Sequence, residues 1–361
     1  SSTDDVVMGT NAIVNVTANA TCATLTFSTA SPQTTNLNIS SGITFTVSGL
    51  ITIPRPASGM NTLAVGAGIL NAGSVAFTSG GGTSRHQITI STGTATVSGD
   101  ITQSGSTGSA TIIFSGTGLL KLGGAFLTST TGTLTTVSGS TVEYNGIAQT
   151  VGNFTYNNLT LSGSGAKTIT GTTINGILSM EGTATTTGTA PTYGAAATLQ
   201  YKGTGAQTTG IEFPATFSGS GGVIIANTSG NAVTFGAAKT ISGNLNINTG
   251  AVLNLGTGLT QSSLSLILGG STQTSGTSYG GTGSATFSTP SYGGTGTIWF
   301  NEILDAGPGA SGYWTHPNSI SYTVSCPTCG GGFTAPPTIE NPQVIAFSSS
   351  IYRTRFRYLG G

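Results

Sequence analysis

A short strand pattern followed by a turn of small residues recurs from about residue 11 to about residue 300. The segment Ile43–Val47 is a clear instance, because its Ile, Phe and Val alternate with Thr. A period of two places apolar side chains on one face of a β-strand and polar side chains on the other. The intervening Gly, Ser, Thr and Asn are typical of turns. Because no long helical period interrupts this pattern, the sequence predicts an all-β fold.

One phrase of this pattern returns at irregular intervals. Val47–Ile51 is echoed at Val97–Ile101 and, with Ile in first place, at Ile241–Leu245. Irregular coils of roughly 20 residues favour a parallel β-helix (β-solenoid), and about 15 coils are then expected. The alternative is a tandem of β-sandwiches, which also consists of short strands and turns. The Gly- and Thr-rich turns and the small number of large aromatic residues favour the solenoid.

Charged residues are scarce. The 361-residue chain has nine Lys and Arg against nine Asp and Glu, so only 5% of it is charged, whereas about 25% is usual for a soluble domain. A net charge of zero argues against a disordered chain and against nucleic acid as a partner. No apolar run reaches the roughly 18 residues that a membrane span requires. We therefore expect a secreted protein, located outside the cell or on its surface, with no membrane span.

A change of composition near residue 298 predicts a domain boundary. The segment after it contains both Trp and two of the three Cys. We expect a solenoid with an N-terminal cap or strand over residues 1–298, and a small C-terminal β-domain over residues 299–361. Cys326 and Cys329 are spaced for a local disulfide, whereas a zinc site would need a second ligand pair. Cys22 is expected to be either a small buried residue or a bond to a neighbouring chain.

Several phrases in the second half of the chain resemble a known family. They are Val142–Gly146, Tyr156–Gly163, Gly250–Gly256 and Tyr279–Ser284. This part of the chain is similar to the β-strand-repeat surface proteins of Bacteroidetes-type bacteria, which are related in style to filamentous-haemagglutinin-like adhesins. The resemblance implies export, a long β-rich architecture and an adhesive or structural role, with no catalytic residues. The tail does not match the sorting domain that such proteins often carry.

The sequence offers little for catalysis or for a cofactor. Right-handed β-helices can be polysaccharide lyases or hydrolases, which need several carboxylates on one face. Stacking of coils would have to bring together Glu143, Glu181 and Glu212, which are isolated in sequence. Their interpretation as solvated surface carboxylates is favoured. No acidic loop has the spacing of a calcium site, and no Gly-rich loop ends in Gly-Lys-Ser/Thr. We expect no catalytic residue, no metal and no cofactor.

The C-terminal segment Ile351–Tyr358 alternates sharply. Its arginines share one face, and its aromatic residues lie on the other. One interpretation is an edge strand that Arg guards against aggregation. The other is an assembly strand that docks on the next subunit by β-augmentation, with the two N-terminal aspartates as charge partners. The predicted assembly residues are Asp4, Asp5, Arg353, Arg355, Phe356, Arg357 and Tyr358.

The sequence therefore predicts a non-catalytic structural subunit of an extracellular or cell-surface fibre. Its partners are copies of itself, joined head to tail in a homopolymer, because a head-to-tail contact does not close. The alternative is a monomeric surface adhesin that binds a surface glycan or another cell. A polysaccharide lyase or hydrolase is the third and least favoured function.

Overall fold

The computed structural model is all-β, and the residues that it describes contain no helix. These residues are 3–29, 33–56, 58–78, 85–104, 110–127, 132–227, 232–256, 259–273, 284–289, 294–298, 347–348 and 352–353. The chain divides into two compact units. Unit 1 consists of Ser1–Lys202, Gly210–Phe213 and Gly219–Gly221, and unit 2 consists of Gly203–Thr209, Pro214–Ser218 and Gly222–Gly361.

Strands pair in parallel from one coil to the next, so the fold is the predicted parallel β-solenoid rather than a tandem of sandwiches, whose sheets are antiparallel. Counted over both units, the described turns number about 10. The prediction of about 15 was wrong because many coils exceed roughly 20 residues. In the first part of unit 1, hydrogen bonds between successive coils join residues 19 apart at β1 and 23 to 26 apart in the coils that follow.

The first part of unit 1, residues 5–127, contains these long coils. Its strands form two stacks, and in both stacks neighbouring strands run parallel. The strands, with β14 directly after the long coils, are β1 (Asp5–Met8), β2 (Ile13–Val16), β3 (Ala20–Cys22), β4 (Thr24–Phe27), β5 (Gln33–Ile39), β6 (Thr44–Pro54), β7 (Gly59–Gly66), β8 (Ile69–Thr78), β9 (Arg85–Ile90), β10 (Thr94–Val97), β11 (Ile101–Gln103), β12 (Ala110–Phe114), β13 (Leu119–Leu122) and β14 (Thr133–Thr135).

The second part of unit 1, residues 141–201, contains short coils. Hydrogen bonds between these coils join residues 17 to 21 apart. Each complete turn passes through three short strands, which belong to three parallel stacks. The strands are β15 (Thr141–Tyr144), β16 (Gln149–Thr150), β17 (Thr155–Tyr156), β18 (Asn158–Leu161), β19 (Ser164–Thr168), β20 (Thr173–Ile174), β21 (Ile177–Met180), β22 (Thr183–Thr187), β23 (Thr192–Tyr193) and β24 (Thr198–Tyr201).

Unit 2 also contains parallel stacks, with antiparallel hairpins in its later part. Its strands are β25 (Gln207–Thr208), β26 (Thr216–Phe217), β27 (Gly222–Ile225), β28 (Ala232–Thr234), β29 (Thr240–Ile247), β30 (Val252–Asn254), β31 (Thr260–Leu268), β32 (Ser271–Thr272), β33 (Ser284–Thr289), β34 (Gly294–Ile298), β35 (Phe347–Ser348) and β36 (Tyr352–Arg353). The predicted C-terminal domain lies almost entirely outside the described residues, so the boundary at residue 298 stays a prediction.

Inward side chains line up in rows along the stacks. Leu25, Ile51, Val75 and Ile101 occupy one register position in successive coils, and none of them is accessible to solvent. Burial of one such aliphatic side chain contributes roughly 1.5–3 kcal/mol. Because strand spacing is about 4.8 Å, each coil packs its row member directly on that of the next coil. Thr and Asn fill the outward rows, as the alternation predicts.

The recurring sequence phrase corresponds to a corner of the long coils. The amide of Gly99 donates to the carbonyl of Gly73 over 2.7 Å, and Gly49 bonds the carbonyl of Ala23 over 2.8 Å. A Cβ on Gly73 would lie only 2.5 Å from the carbonyl oxygen of Ser48. Backbone therefore stacks on backbone at this corner, and only glycine permits the approach.

One predicted strand has a different pattern of burial from the one expected. The sequence Ser263–Leu266 predicts that both leucines face the core, but Leu264 is 44% exposed while Leu266 is fully buried. The register of the β29–β31 pairing shifts between Ile241 and Asn244. An extra residue at such a bulge turns the side chain that follows it toward the opposite face.

Candidate functional site

The predicted acidic partners of assembly lie at the N-terminal end of unit 1. Asp4 and Asp5 are both exposed. Asp5 begins β1 and occupies the same row as Thr24, whose hydroxyl donates to its Oδ1 over 2.6 Å. The carbonyl of Asp4 accepts from the amide of Ala23 over 2.8 Å. These bonds fix the start of the chain on the coil that follows.

The coil formed by β1 and β2, here called the first coil, has one open edge. Within the described residues, β1 pairs with β4 and β2 pairs with β5, each on one side only. Val14 shares a row with Leu37, yet Val14 is 39% exposed while Leu37 is 2% exposed. Val7 and Ile13, on the outer face, are 72% and 67% exposed. Among the described residues, the first coil therefore has unpaired backbone on one side and aliphatic side chains exposed to solvent.

The basic partners of assembly lie mostly outside the described part of the chain. Arg353 ends β36, which pairs antiparallel with β35. The other predicted assembly residues of this segment lie outside the described residues: Arg355, Phe356, Arg357 and Tyr358. Both cysteines of the predicted disulfide, Cys326 and Cys329, also lie outside them. The head-to-tail contact and the disulfide thus stay predictions.

Glu143 and Glu181 both pair with lysine on the outer side of the short coils. Glu143 Oε2 lies 2.8 Å from Lys121 Nζ, and Glu181 Oε2 lies 3.6 Å from Lys202 Nζ. Each carboxylate also accepts a serine hydroxyl. The lysines are the more exposed partners, at 35% for Lys121 and 60% for Lys202, and the glutamates are half-buried. Pairs that are open to solvent on one side contribute roughly 0–1 kcal/mol. Their sites are those of surface ion pairs within the sheet.

Glu212 is buried, so its prediction as a solvated surface carboxylate was wrong. It is 1% exposed, and its carboxylate accepts from the hydroxyls of Thr186 and Tyr201 and from the amide of Gly210. Burial, and then the charge of Glu212, raise the pKa of Tyr201 well above its ordinary value. With its oxygens occupied by these donors, Glu212 anchors the turn, as buried carboxylates require. The three glutamates therefore do not meet in a shared cleft.

Lys167 is a buried cation that the sequence did not single out. Its Nζ donates to the carbonyl oxygens of Gly146 and Ile147 over 2.6 and 3.2 Å, and to Gln149 Oε1 over 2.9 Å. The Gln149 amide in turn donates to the carbonyls of Leu122 and Gly124. Each side chain thus ties its coil to the preceding one. Burial lowers the pKa of Lys167 to about 8. A lysine at an inward position of an alternating strand is the one sequence signal for it.

His86 is a second buried titratable group. It is 1% exposed, its Nδ1 donates to the carbonyl of Ile53 over 2.7 Å, and its ring makes an edge contact with Phe77 at 5.0 Å. Burial lowers its pKa to about 4; Arg55 also lowers the pKa, and the bond to Ile53 opposes both. His86 is therefore neutral near pH 7 and packs as a core residue.

The remaining sequence-predicted groups are structural or absent from the described chain. Cys22 is a free, buried thiol whose pKa is raised by burial, which agrees with its interpretation as a small core residue. Among the described residues, no group of three or more His, Cys, Asp or Glu could hold a metal ion. The same part of the chain contains no helix that is long and apolar enough to cross a bilayer.

Comparisons with known proteins add no family. No protein-family model matches the chain, and no curated protein or solved structure matches it. The β-solenoid fold agrees with the resemblance to bacterial β-strand-repeat surface proteins, while membership of that family stays a prediction.

Proposed function

We propose that this chain is a non-catalytic structural subunit of a fibre outside the cell or on its surface, and that copies join head to tail. The observation that carries the proposal is the open first coil. Its edge has the same parallel geometry as the pairings inside unit 1, but one side of its strands is unpaired among the described residues. A repetitive ladder with an open edge is suited to extension by another copy.

The way in which unit 1 uses its charged side chains supports a mechanical role. Lys167 and Glu212 are committed to hydrogen bonds within the core, and Glu143 is paired with Lys121. Inward aliphatic rows and coil-to-coil hydrogen bonds make each coil a support for the next one. Such a construction suits a subunit that bears load. Secretion is also part of the proposal, because only 5% of the residues are charged.

The adhesin alternative has less support. A row of exposed aromatic rings would favour glycan binding, because sugars stack on such rings. The large hydrophobic side chains exposed in the described residues are instead Val, Ile and Leu. The enzyme alternative would need carboxylates that share a cleft, and Glu212 is buried away from Glu143 and Glu181.

Negative-stain electron microscopy of the purified chain tests the proposal. The intact chain is compared with a variant that is truncated before Ile351, over a series of concentrations. We expect filaments from the intact chain and short particles from the truncated variant. Single particles from both at every concentration would contradict the fibre function, and binding assays on surface glycans would then test the adhesin.

A further inference from the structure

We propose that the edge of β1 that is unpaired among the described residues is the acceptor of the joint, and that it takes the segment Ile351–Tyr358 of a second copy as an added strand. The inference rests on the proposed head-to-tail assembly and names both partners of its contact. Two independent features of the first coil match this segment: the alternation of side chains along β1, and the negative charge of Asp4 and Asp5.

The faces of β1 alternate in the way that the added strand must complement. Asp5 and Val7 occupy outward rows with Thr24 and Thr26, and Val6 and Met8 occupy inward rows with Leu25 and Phe27. Leu25 and Phe27 are fully buried, and Val6 is partly exposed. A strand placed beside β1 must therefore carry apolar side chains on its inner face to continue these rows.

The tail has this alternation. Its aromatic face consists of Tyr352, Phe356 and Tyr358, with Thr354 between them, and its other face carries three arginines. Placed with these aromatic residues inward, the added strand would extend the row of Val6. The arginines then point outward in the row of Asp5. A one-residue slip would bury the arginines, so the pattern also fixes the register.

Charge selects the same arrangement. Asp4 and Asp5 are two of the nine acidic residues of the chain, and the tail carries three of its nine cations. Strands that pair lie about 4.8 Å apart, so a guanidinium in the neighbouring row reaches the Asp5 carboxylate. Asp5 is already held by the hydroxyl of Thr24, which leaves the carboxylate fixed before the contact forms. The aromatic burial supplies the affinity, and the charges supply orientation and partner choice.

Charge reversal in the 361-residue chain tests the joint by sedimentation velocity and microscopy. Asp5→Arg alone and the triple change R353E, R355E and R357E alone are each expected to raise the concentration needed for assembly at least about tenfold, because like charges face each other. The two changes combined in one chain restore the pairing and are expected to recover assembly. Glu181→Arg makes the same charge change away from the first coil and leaves assembly unaltered.

A second variant distinguishes loss of the contact between copies from loss of the fold. Thr24→Val removes the hydroxyl that holds Asp5 while keeping the carboxylate, and we expect it to assemble. Circular dichroism and thermal unfolding confirm that each variant keeps the solenoid. If Asp5→Arg assembles as well as Glu181→Arg does, or if the combined variant remains unassembled, the acceptor has been misplaced while the fibre function stands.

A labelled peptide with the sequence of Ile351–Tyr358 tests the acceptor without polymerisation. It is titrated onto the triple variant, whose own tail no longer competes. We expect saturable binding that Asp5→Arg in the same background abolishes. If the wild-type chain stays monomeric but this binding occurs, the fibre function fails and the acceptor stands. A monomeric chain that binds no peptide overturns both.

Discussion

The long coils and the short coils of unit 1 solve the same packing problem with different interiors. In the long coils, Leu25, Ile51 and Val75 form a fully buried aliphatic row. The short coils also bury an aliphatic row, which includes Leu159 and Leu178, but they add a buried cation and polar rings. Lys167 bonds three oxygens, and the hydroxyls of Tyr144 and Tyr156 lie 2.9 Å apart. The two regions share parallel pairing and differ in what fills and ties each turn.

The difference lies in the kind of side chain that ties one coil to another. In the short coils, the Lys167 ammonium donates to inward carbonyl oxygens of the preceding coil. In the long coils, the buried Asn61 amide donates to the carbonyls of Ser28 and Pro54, and His86 donates to that of Ile53. Buried carbonyls need donors, and the short coils use a cation where the long coils use neutral groups.

The largest effect is expected from removing an aromatic ring in the long coils. Phe77→Ala should lower the free energy of unfolding by about 4 kcal/mol, because a fully buried ring leaves a cavity that the stacked coils cannot close. Chemical denaturation measures the loss. Leu50→Ala, which trims a side chain that is 40% exposed, is the matched control. Equal losses from the two variants would show that apolar burial does not hold the long coils.

Acid should destabilise the long coils selectively through His86. Its pKa is lowered to about 4 in the fold, so between pH 6.5 and 4 the unfolded chain binds the extra proton. This group's contribution to stability is present above pH 6.5 and is lost as the pH falls to about 4, by on the order of 3 kcal/mol.

Hydrogen exchange of the Arg85–Ile90 strand, compared with that of Asn158–Leu161, resolves the effect of acid by region. His86→Gln should remove the selective loss of protection in Arg85–Ile90. Persistence of that loss in the variant would assign it to another group.

Raising the pH from 8 to 10 should stabilise the short coils. The pKa of Lys167 is lowered to about 8, so between pH 8 and 10 the unfolded chain binds more protons and stability rises with pH. We expect a gain of about 2 kcal/mol over that window. Above pH 10 the buried Tyr144 and Tyr156, whose pKa values are raised, reverse the trend. The free energy of unfolding of Lys167→Met, measured by chemical denaturation, should not rise between pH 8 and 10. A rise equal to that of the wild type would show that Lys167 is not its cause.

The smallest effect is expected from Glu212→Gln. This change keeps one carbonyl oxygen for Tyr201 and Gly210 and should cost about 1 kcal/mol, because the Thr186 hydroxyl can turn to accept from the new amide. The reference variant Glu212→Ala leaves the buried Tyr201 hydroxyl and the part-buried donors of Thr186 and Gly210 without their acceptor, and should cost about 3 kcal/mol. Thermal unfolding of the two variants tests the order. If the alanine variant is the more stable one, the bonds to this carboxylate do not hold the turn.

The sequence predicted the strands and the fold class because alternation reports directly on which face is buried. Asn158–Leu161 and Asn244–Ile247 both lie in strands with their apolar side chains buried. Coil length was not predictable in the same way, because it depends on how turns close in three dimensions. Leu264 was misplaced for a related reason, since the bulge that exposes it depends on the partner strand. The role of Lys167 as a tie between coils was not predictable, because its backbone acceptors lie 20 and 21 residues away in sequence.

A cryo-electron microscopy structure of the filament tests the central claim most directly. We expect the edge of β1 that is unpaired among the described residues to pair with a strand from the next copy, with the spacing of about 4.8 Å continued across the joint. Arginines of the added strand should lie in the row of Asp5. A filament in which copies meet through their outer faces, with the edge of β1 left in solvent, would contradict the account.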